Sequence, residues 1–217
     1  MNNRILVQIL RRLKIFLGSR TPPAMVKIGQ KADPFRILVG CLLSSRTRDE
    51  VTESACARLF RRVKSPRTLL KLSTRQLERE IYPVAFYRNK ARVLKTLCSD
   101  LGDRFNGEVP ETLEDLLTLK GVGRKTANLT LILAFDGMGI CVDTHVHRIT
   151  NRWGYVETAT PDQTEAALRG KRPARYWRSF NEWLVGFGQT CCKPMSPLCS
   201  ECPVEKYCPR IGVDRHR

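Results

Sequence analysis

The 217-residue chain carries 38 Lys and Arg against 21 Asp and Glu, a formal net charge of +17, and 42% of its residues are hydrophobic. That apolar content excludes a disordered chain, and the length suits one large domain or two small ones, each with its own core. So large a positive charge points to a polyanionic partner, of which nucleic acid is the commonest.

The N-terminal stretch "RILVQILRRLKIFLG" is interrupted by Gln8, Arg11, Arg12 and Lys14, and no small-residue cleavage site follows it, which argues against a signal peptide. No stretch approaches the ~18 uninterrupted apolar residues of a membrane span. Leu6, Ile9, Leu10, Leu13, Phe16 and Leu17 fall at helical spacing and predict a docked amphipathic helix. Asp33-Pro34 reads as N-cap and first helical residue before "FRILVGCLLSS". Further helices are predicted for "DEVTESACARLFRRV" from Asp49, "RTLLKL" after Ser65-Pro66, "TRQLEREI" after Ser73, and "RNKARVLKTLCSDLGDRF". A loop "NGEVPET" then leads into "LEDLLTL" and, past a glycine turn, the buried-looking "KTANLTLILAF". "DTHVHRITNRW", "DQTEAALRG" after Thr160-Pro161, and "ARYWRSFNEWLVGFGQT" from Ala174 complete the series. No period-2 strand pair is evident. The expected class is all-α, in two helical lobes with a ligand groove between them.

Two features in this series carry chemistry. In "LLTLKGVGRKTANLTL" two glycines, Gly121 and Gly123, allow successive N–H groups to face one side, an anion nest backed by the positive end of the next helix. Such a turn binds phosphate without reading sequence. Asp143, before "THVHRITNRW", is by itself an N-cap.

The nine cysteines divide into two groups. Cys41, Cys56, Cys98 and Cys141 lie in apolar segments and read as core. The other five crowd into Cys191–Cys208, and without a secretory signal they point to a metal site in a reducing compartment rather than to disulfides. Cys192, Cys199, Cys202 and Cys208 are spaced C-x6-C-x2-C-x5-C. Four thiolates hold either zinc or a [4Fe–4S] cluster, but zinc modules typically use two close C-x2-C pairs and only one is present.

"LKGVGRKTAN" followed by "VDTHVHRITNRWG", with "LLSSRTRD", "FYRNKA" and "NGEVPETLEDL" upstream and the cysteine cluster downstream, resembles the endonuclease III family of DNA glycosylases from about Pro34 to Pro209. The resemblance implies a helix-hairpin-helix motif at about 112–135 within a helical-barrel lobe, 27–137. It also implies an iron–sulfur lobe of 1–26 plus 138–217 with the cluster loop at 192–208, and a DNA groove between the lobes. It makes Lys125 the nucleophile. Lys120 stands where the family usually has proline, and it reads as an extra phosphate contact or a solvated side chain. A first helical turn entering a buried segment offers Lys125 both desolvation and a disfavouring dipole, and the open turn offers Lys120 neither.

Carried over in the same way, Asp143 faces the lysine, helps deprotonate it and steadies charge on the sugar. Gly121, Val122, Gly123 and Arg124 bind DNA. Arg46 occupies a position where glutamine commonly fills the gap left by the flipped nucleotide, and Phe86 one where an aliphatic wedge is common. His145 and Arg148 are candidate contacts to backbone or flipped nucleotide, and Lys193 in "KPMSPL" to the DNA backbone. Cys192, Cys199, Cys202 and Cys208 hold a [4Fe–4S] cluster, with Cys191 a buried thiol.

The implied activity is that of a bifunctional glycosylase and abasic-site lyase removing oxidised pyrimidines. The expected partner is double-stranded DNA with damaged bases or abasic sites, and no membrane. The protein is expected to be monomeric and intracellular, in cytoplasm or nucleoid. A monofunctional mismatch glycosylase is argued against by Lys125, and a non-catalytic DNA-binding iron–sulfur protein by Lys125 together with Asp143.

Overall fold

A computed structural model describes residues 1–18, 33–171 and 177–217, with all their side chains except those at 178 and 179. The expected lobe boundary at 26/27 and the expected helix start at Ala174 lie outside these residues. Among the described residues the regular elements are all helical: α1 Asn3–Leu17, α2 Pro34–Ser44, α3 Asp49–Arg62, α4 Pro66–Leu70, α5 Thr74–Ile81 and α6 Tyr87–Phe105. They continue as α7 Leu113–Thr118, α8 Arg124–Ala134, α9 Thr144–Arg152, α10 Pro161–Gly170, α11 Trp177–Thr190 and a 3-10 turn Glu205–Tyr207. No helix among the described residues is long and apolar enough to cross a membrane.

Most helices begin where a short polar side chain can accept from an orphan first-turn amide. Asp33 accepts from the Arg36 amide at 3.0 Å ahead of Pro34. Ser65 with Thr68, and Ser73 with Gln76, form reciprocal capping boxes. Asn2, Thr112 and Thr160 cap α1, α7 and α10. At the other end of a helix, Asn106 and Gly107 turn left-handed (φ 53 and 82) and terminate α6.

The chain divides into two compact units, Ala24–Gly137 and Met1–Pro23 with Met138–Arg217. The core of the first is built from α2 to α8, with Leu38, Leu43, Leu59, Leu77, Leu94, Leu97 and Leu116 fully buried. In the second, Leu6, Ile9, Leu10 and Leu13 of α1 pack with Trp153, Tyr155, Leu184 and Phe187. Phe16 meets Phe187 edge-on at 6.2 Å between centroids. A Cβ on Gly186 would come within 3.2 Å of Leu17, so glycine there lets α1 lie close to α11. The Met1 ammonium donates to the Gly154 carbonyl at 3.0 Å and the Tyr155 hydroxyl to Asn3 at 2.7 Å, which fixes the start of α1 on the end of α9.

Docking of α1 therefore rests on its apolar stripe. Leu10→Ala should lower unfolding free energy by about 2–5 kcal/mol in urea denaturation. Ile15→Ala, on the same helix but 81% exposed, should stay within about 0.5 kcal/mol of the parent.

Candidate functional site

α7, the turn 119–123 and α8 form the expected hairpin, and its two glycines do different work. Gly121 sits at φ +80, and a Cβ there would fall 2.4 Å from Val93 Cγ1, so the turn is pressed against α6 and needs glycine twice over. Gly123, at φ −96 and ψ 175, adopts extended backbone open to any residue, with nothing within 4 Å of a built Cβ. Its contribution is bareness, since no side chain caps α8. Val122 differs from the others in the turn. Its side chain is buried and its amide donates to the Leu119 carbonyl at 3.1 Å, so it anchors the loop. Lys120 is exposed, its amide 3.4 Å from Asp100 Oδ2.

Lys125 is the second residue of α8 and is exposed. The expectation that the buried-looking helix would desolvate it does not hold. Burial on α8 begins with Ala127 and Asn128, on the face turned from solvent. What remains from the sequence argument is the helix start itself. Beneath it, burial pushes the Cys41 thiol up to about 12, against opposing pulls from the Thr130 hydroxyl and the Lys125 ammonium.

Asp143 caps α9 in the second unit. Its Oδ1 accepts from both the His145 and Val146 amides at 2.9 Å, which fixes the carboxylate while both bonds use one oxygen. Further along α9, Arg148 donates to the Cys192 carbonyl at 2.8 Å and lies 3.1 Å from His145 Nδ1. Because a guanidinium only donates, that ring nitrogen accepts. Gly188 of α11 admits this pair, for a Cβ there would sit 2.4 Å from His145 Nδ1 and 2.9 Å from Arg148 Nη2. In the free chain His145 and Arg148 thus brace α9 against the cysteine loop.

Arg152, at the end of α9, was not among the sequence candidates. Its buried guanidinium donates to the Lys193 and Pro194 carbonyls, both at 2.7 Å, and reaches Cys192 Sγ at 3.4 Å. Its own carbonyl accepts from the Ile211 amide at 3.1 Å and from Cys208 Sγ at 3.6 Å. Lys193, half-buried, is held by this contact, and Met195 beyond it is 87% exposed. An arginine in a last helical turn ordinarily serves its own helix end, so nothing local in the sequence marks this role.

Cys192, Cys199, Cys202 and Cys208, with Cys191, line one small cavity together with Trp153 and Phe187. Among the described residues no three ligand side chains converge closely enough to hold a single metal ion. Cys191 is buried and donates to the Leu198 carbonyl at 3.4 Å. The neighbouring Cys202 and burial raise the Cys191 thiol, while the neighbouring Cys191 pulls the Cys202 thiol down to about 7. Cys202 is therefore the better thiolate of the two. Four cysteines on one cavity are a chemically suitable donor set for zinc or an iron–sulfur cluster.

Arg46 and Phe86 form a third feature. Both are non-glycine residues in left-handed backbone, φ 53 and 57, a conformation costing about 1–3 kcal/mol each that surrounding contacts must impose. Both are exposed, Phe86 by 63%, so its side chain is not a core residue. The Arg46 guanidinium lies 5.9 Å from the Phe86 ring centroid. Lys90, buried and also absent from the sequence candidates, donates to the Leu43 and Ser45 carbonyls at 2.8 and 2.6 Å and to Thr47 Oγ1 at 3.2 Å.

Residues 39–173 match the family model of the HhH-GPD superfamily base excision DNA repair protein. Endonuclease III of Thermotoga maritima is 44% identical over 82% of this chain and 84% of its own length. Endonuclease III-like protein 1 of Gallus gallus is 42% identical over 81% of this chain, which spans 63% of that longer protein. A solved structure of a trapped endonuclease III–DNA covalent intermediate, in an estranged-adenine complex, superposes with a TM-score of 0.87 at 30% identity over 97% of both chains. The hairpin fold thus defines the chain as an HhH-GPD protein. Within that superfamily it belongs to the endonuclease III family.

Proposed function

We propose that the chain is a bifunctional DNA glycosylase and abasic-site lyase of base excision repair, acting on oxidised pyrimidines in double-stranded DNA. The observation that carries this reading is a lysine, Lys125, in the first turn of a helix whose start no side chain caps, directly after a phosphate-binding turn. Gly121, Gly123, Arg124 and Lys120 hold the DNA backbone there. Arg46 and Phe86 enter the duplex where the damaged nucleotide has turned out.

Neutral Lys125 Nζ attacks C1′ of the deoxyribose, the bond from C1′ to the base breaks, and the base leaves with a proton. Ring opening gives the Schiff base. Loss of a C2′ proton then expels the 3′ phosphate, cutting the strand 3′ of the site, and water releases the lysine. Asp143 takes the ammonium proton and hands it to the departing base, and as a carboxylate again it steadies positive charge on the sugar, fixed throughout by two amides. Cys192, Cys199, Cys202 and Cys208 hold a [4Fe–4S] cluster, which supplies structural cross-linking of the C-terminal loop. The setting is reducing and intracellular, as a thiolate-held cluster requires, and the protein acts as a monomer.

Borohydride reduction on abasic-site DNA tests the nucleophile. Lys125→Ala should abolish the covalent adduct, whereas Lys120→Ala should still form it, with a salt dependence of binding shallower by about one phosphate. An adduct that survives Lys125→Ala excludes this mechanism, as would a wild-type protein that releases bases yet never traps.

Asparagine caps a helix about as well as aspartate. Asp143→Asn should therefore keep its thermal stability while single-turnover base release falls by about 10²–10⁴. Near-parental rates would reduce Asp143 to a cap.

Anaerobically purified protein should be brown and contain about four irons and four sulfides per chain. Cys202→Ser should lose that content and Cys191→Ser keep it. One zinc per chain in colourless protein would overturn the cluster and leave the lysine chemistry untouched.

A further inference from the structure

Arg46 and Phe86 are 40 positions apart in the chain, yet they meet at the tips of two turns that are bonded to each other. The first turn closes by the Thr47 amide donating to the Ser44 carbonyl at 3.1 Å, and the second by the Tyr87 amide donating to the Val84 carbonyl at 3.0 Å. Between them, the Ala85 amide donates to Thr47 Oγ1 at 3.3 Å. Lys90 bridges both. Its own amide donates to the Phe86 carbonyl at 3.0 Å, while its ammonium holds Leu43, Ser45 and Thr47 on either side of Arg46.

An ammonium has three donors and no acceptor, and here three oxygens converge on it. None of the three belongs to a carboxylate, so this buried cation is not neutralised by an ion pair. Burial pulls its pKa down to about 8, which still leaves it charged at neutral pH. Its three bonds fix the short run from the end of α2 to Thr47, whose outward product is the left-handed Arg46.

We infer that Lys90 is the positioning residue of the inserted pair, holding Arg46 on Phe86 as one preformed unit and thereby setting which base opposite the lesion is accepted. The inference rests on the proposed function, in which both tips enter the duplex. Two side chains that enter together in a fixed geometry lose less freedom on binding than two that enter independently. A fixed guanidinium also offers its donors to the opposite base along set directions, so it discriminates among bases. A loosened one reaches all of them.

The test uses the full chain, with duplexes carrying dihydrouracil opposite each of the four bases, and with 2-aminopurine as opposite base to report unstacking by fluorescence. Single-turnover base-release rates are divided by the same variant's lyase rate on a single-stranded abasic oligonucleotide, so that general damage cancels. Lys90→Met should compress the normalised spread across the four opposite bases by about fivefold and dim the 2-aminopurine signal. Arg46→Ala should do the same, and the double variant should add less than about twofold to Arg46→Ala, because Lys90 acts through Arg46. Thr47→Val, which removes one acceptor of Lys90 and the partner of the Ala85 amide, should give a smaller change of the same kind and carries the test if Lys90→Met does not fold.

If Arg46→Ala alters the spread while Lys90→Met and Thr47→Val leave it unchanged, the positioning role is wrong and the insertion reading stands. If Arg46→Ala itself changes neither spread nor fluorescence, the insertion reading has failed. A normalised spread in Lys90→Met equal to that of the parent, despite lower absolute rates, reduces Lys90 to a structural residue.

Discussion

Every α-helix leaves its first amides without an intrahelical partner, and in an all-α chain the disposal of those amides sorts the molecule. Seven of the ten α-helices with a described N-cap receive a side-chain hydrogen bond there. The three that do not are α3 after Arg48, α6 after Phe86 and α8 after Gly123, all in the Ala24–Gly137 unit. They adjoin Arg46, Phe86 and the hairpin turn, the segments the proposed function assigns to DNA. α3 differs from the other two in carrying Asp49 and Glu50 in its first turn, which answer the dipole and repel phosphate. At α6 and α8 no acid is present. On the proposed function those two starts face phosphate, with the Tyr87 amide of α6 already taken by the Val84 carbonyl.

The second unit handles its own helix start in the opposite way, and α9 shows why. Asp143 caps it, Arg148 braces its middle turns on the Cys192 carbonyl, and Arg152 at its end gathers the Lys193 and Pro194 carbonyls. One nine-residue helix therefore joins the carboxylate to the cysteine loop through charge-assisted bonds, each worth about 1.5–3 kcal/mol. On the proposed function, disturbing the loop would loosen the frame that aims Asp143, which would give the cluster a structural route to activity.

Much of this was legible in the chain. Asp33-Pro34, Ser65, Ser73, Asp143 and Thr160 announce helix starts because a short polar acceptor before an apolar run is a local signal, and each caps as read. The glycine turn and the cysteine spacing are local too. Lys90 and Arg152 escaped because their roles depend on carbonyls far away in sequence, and a buried lysine inside "FYRNKA" looks like any helical lysine. The exposure of Lys125 escaped for a related reason. Apolar content foretells that a helix is buried, but which of its first-turn residues faces out depends on the helix it packs against.

In the proposed mechanism, that exposure bears on how Lys125 would become a nucleophile. A solvated ammonium does not attack carbon, so a proton must leave before the bond to C1′ forms. Covering the lysine with a duplex strips its water, but the phosphates of that duplex favour the ammonium and work the other way. The two effects pull apart unless the proton has somewhere to go. On the proposed mechanism Asp143 is the recipient, and because its cap uses one carboxylate oxygen the second is left for a proton. On this reading the exposed Lys125 loses its solvent only when the substrate covers it, which ties its activation to DNA binding.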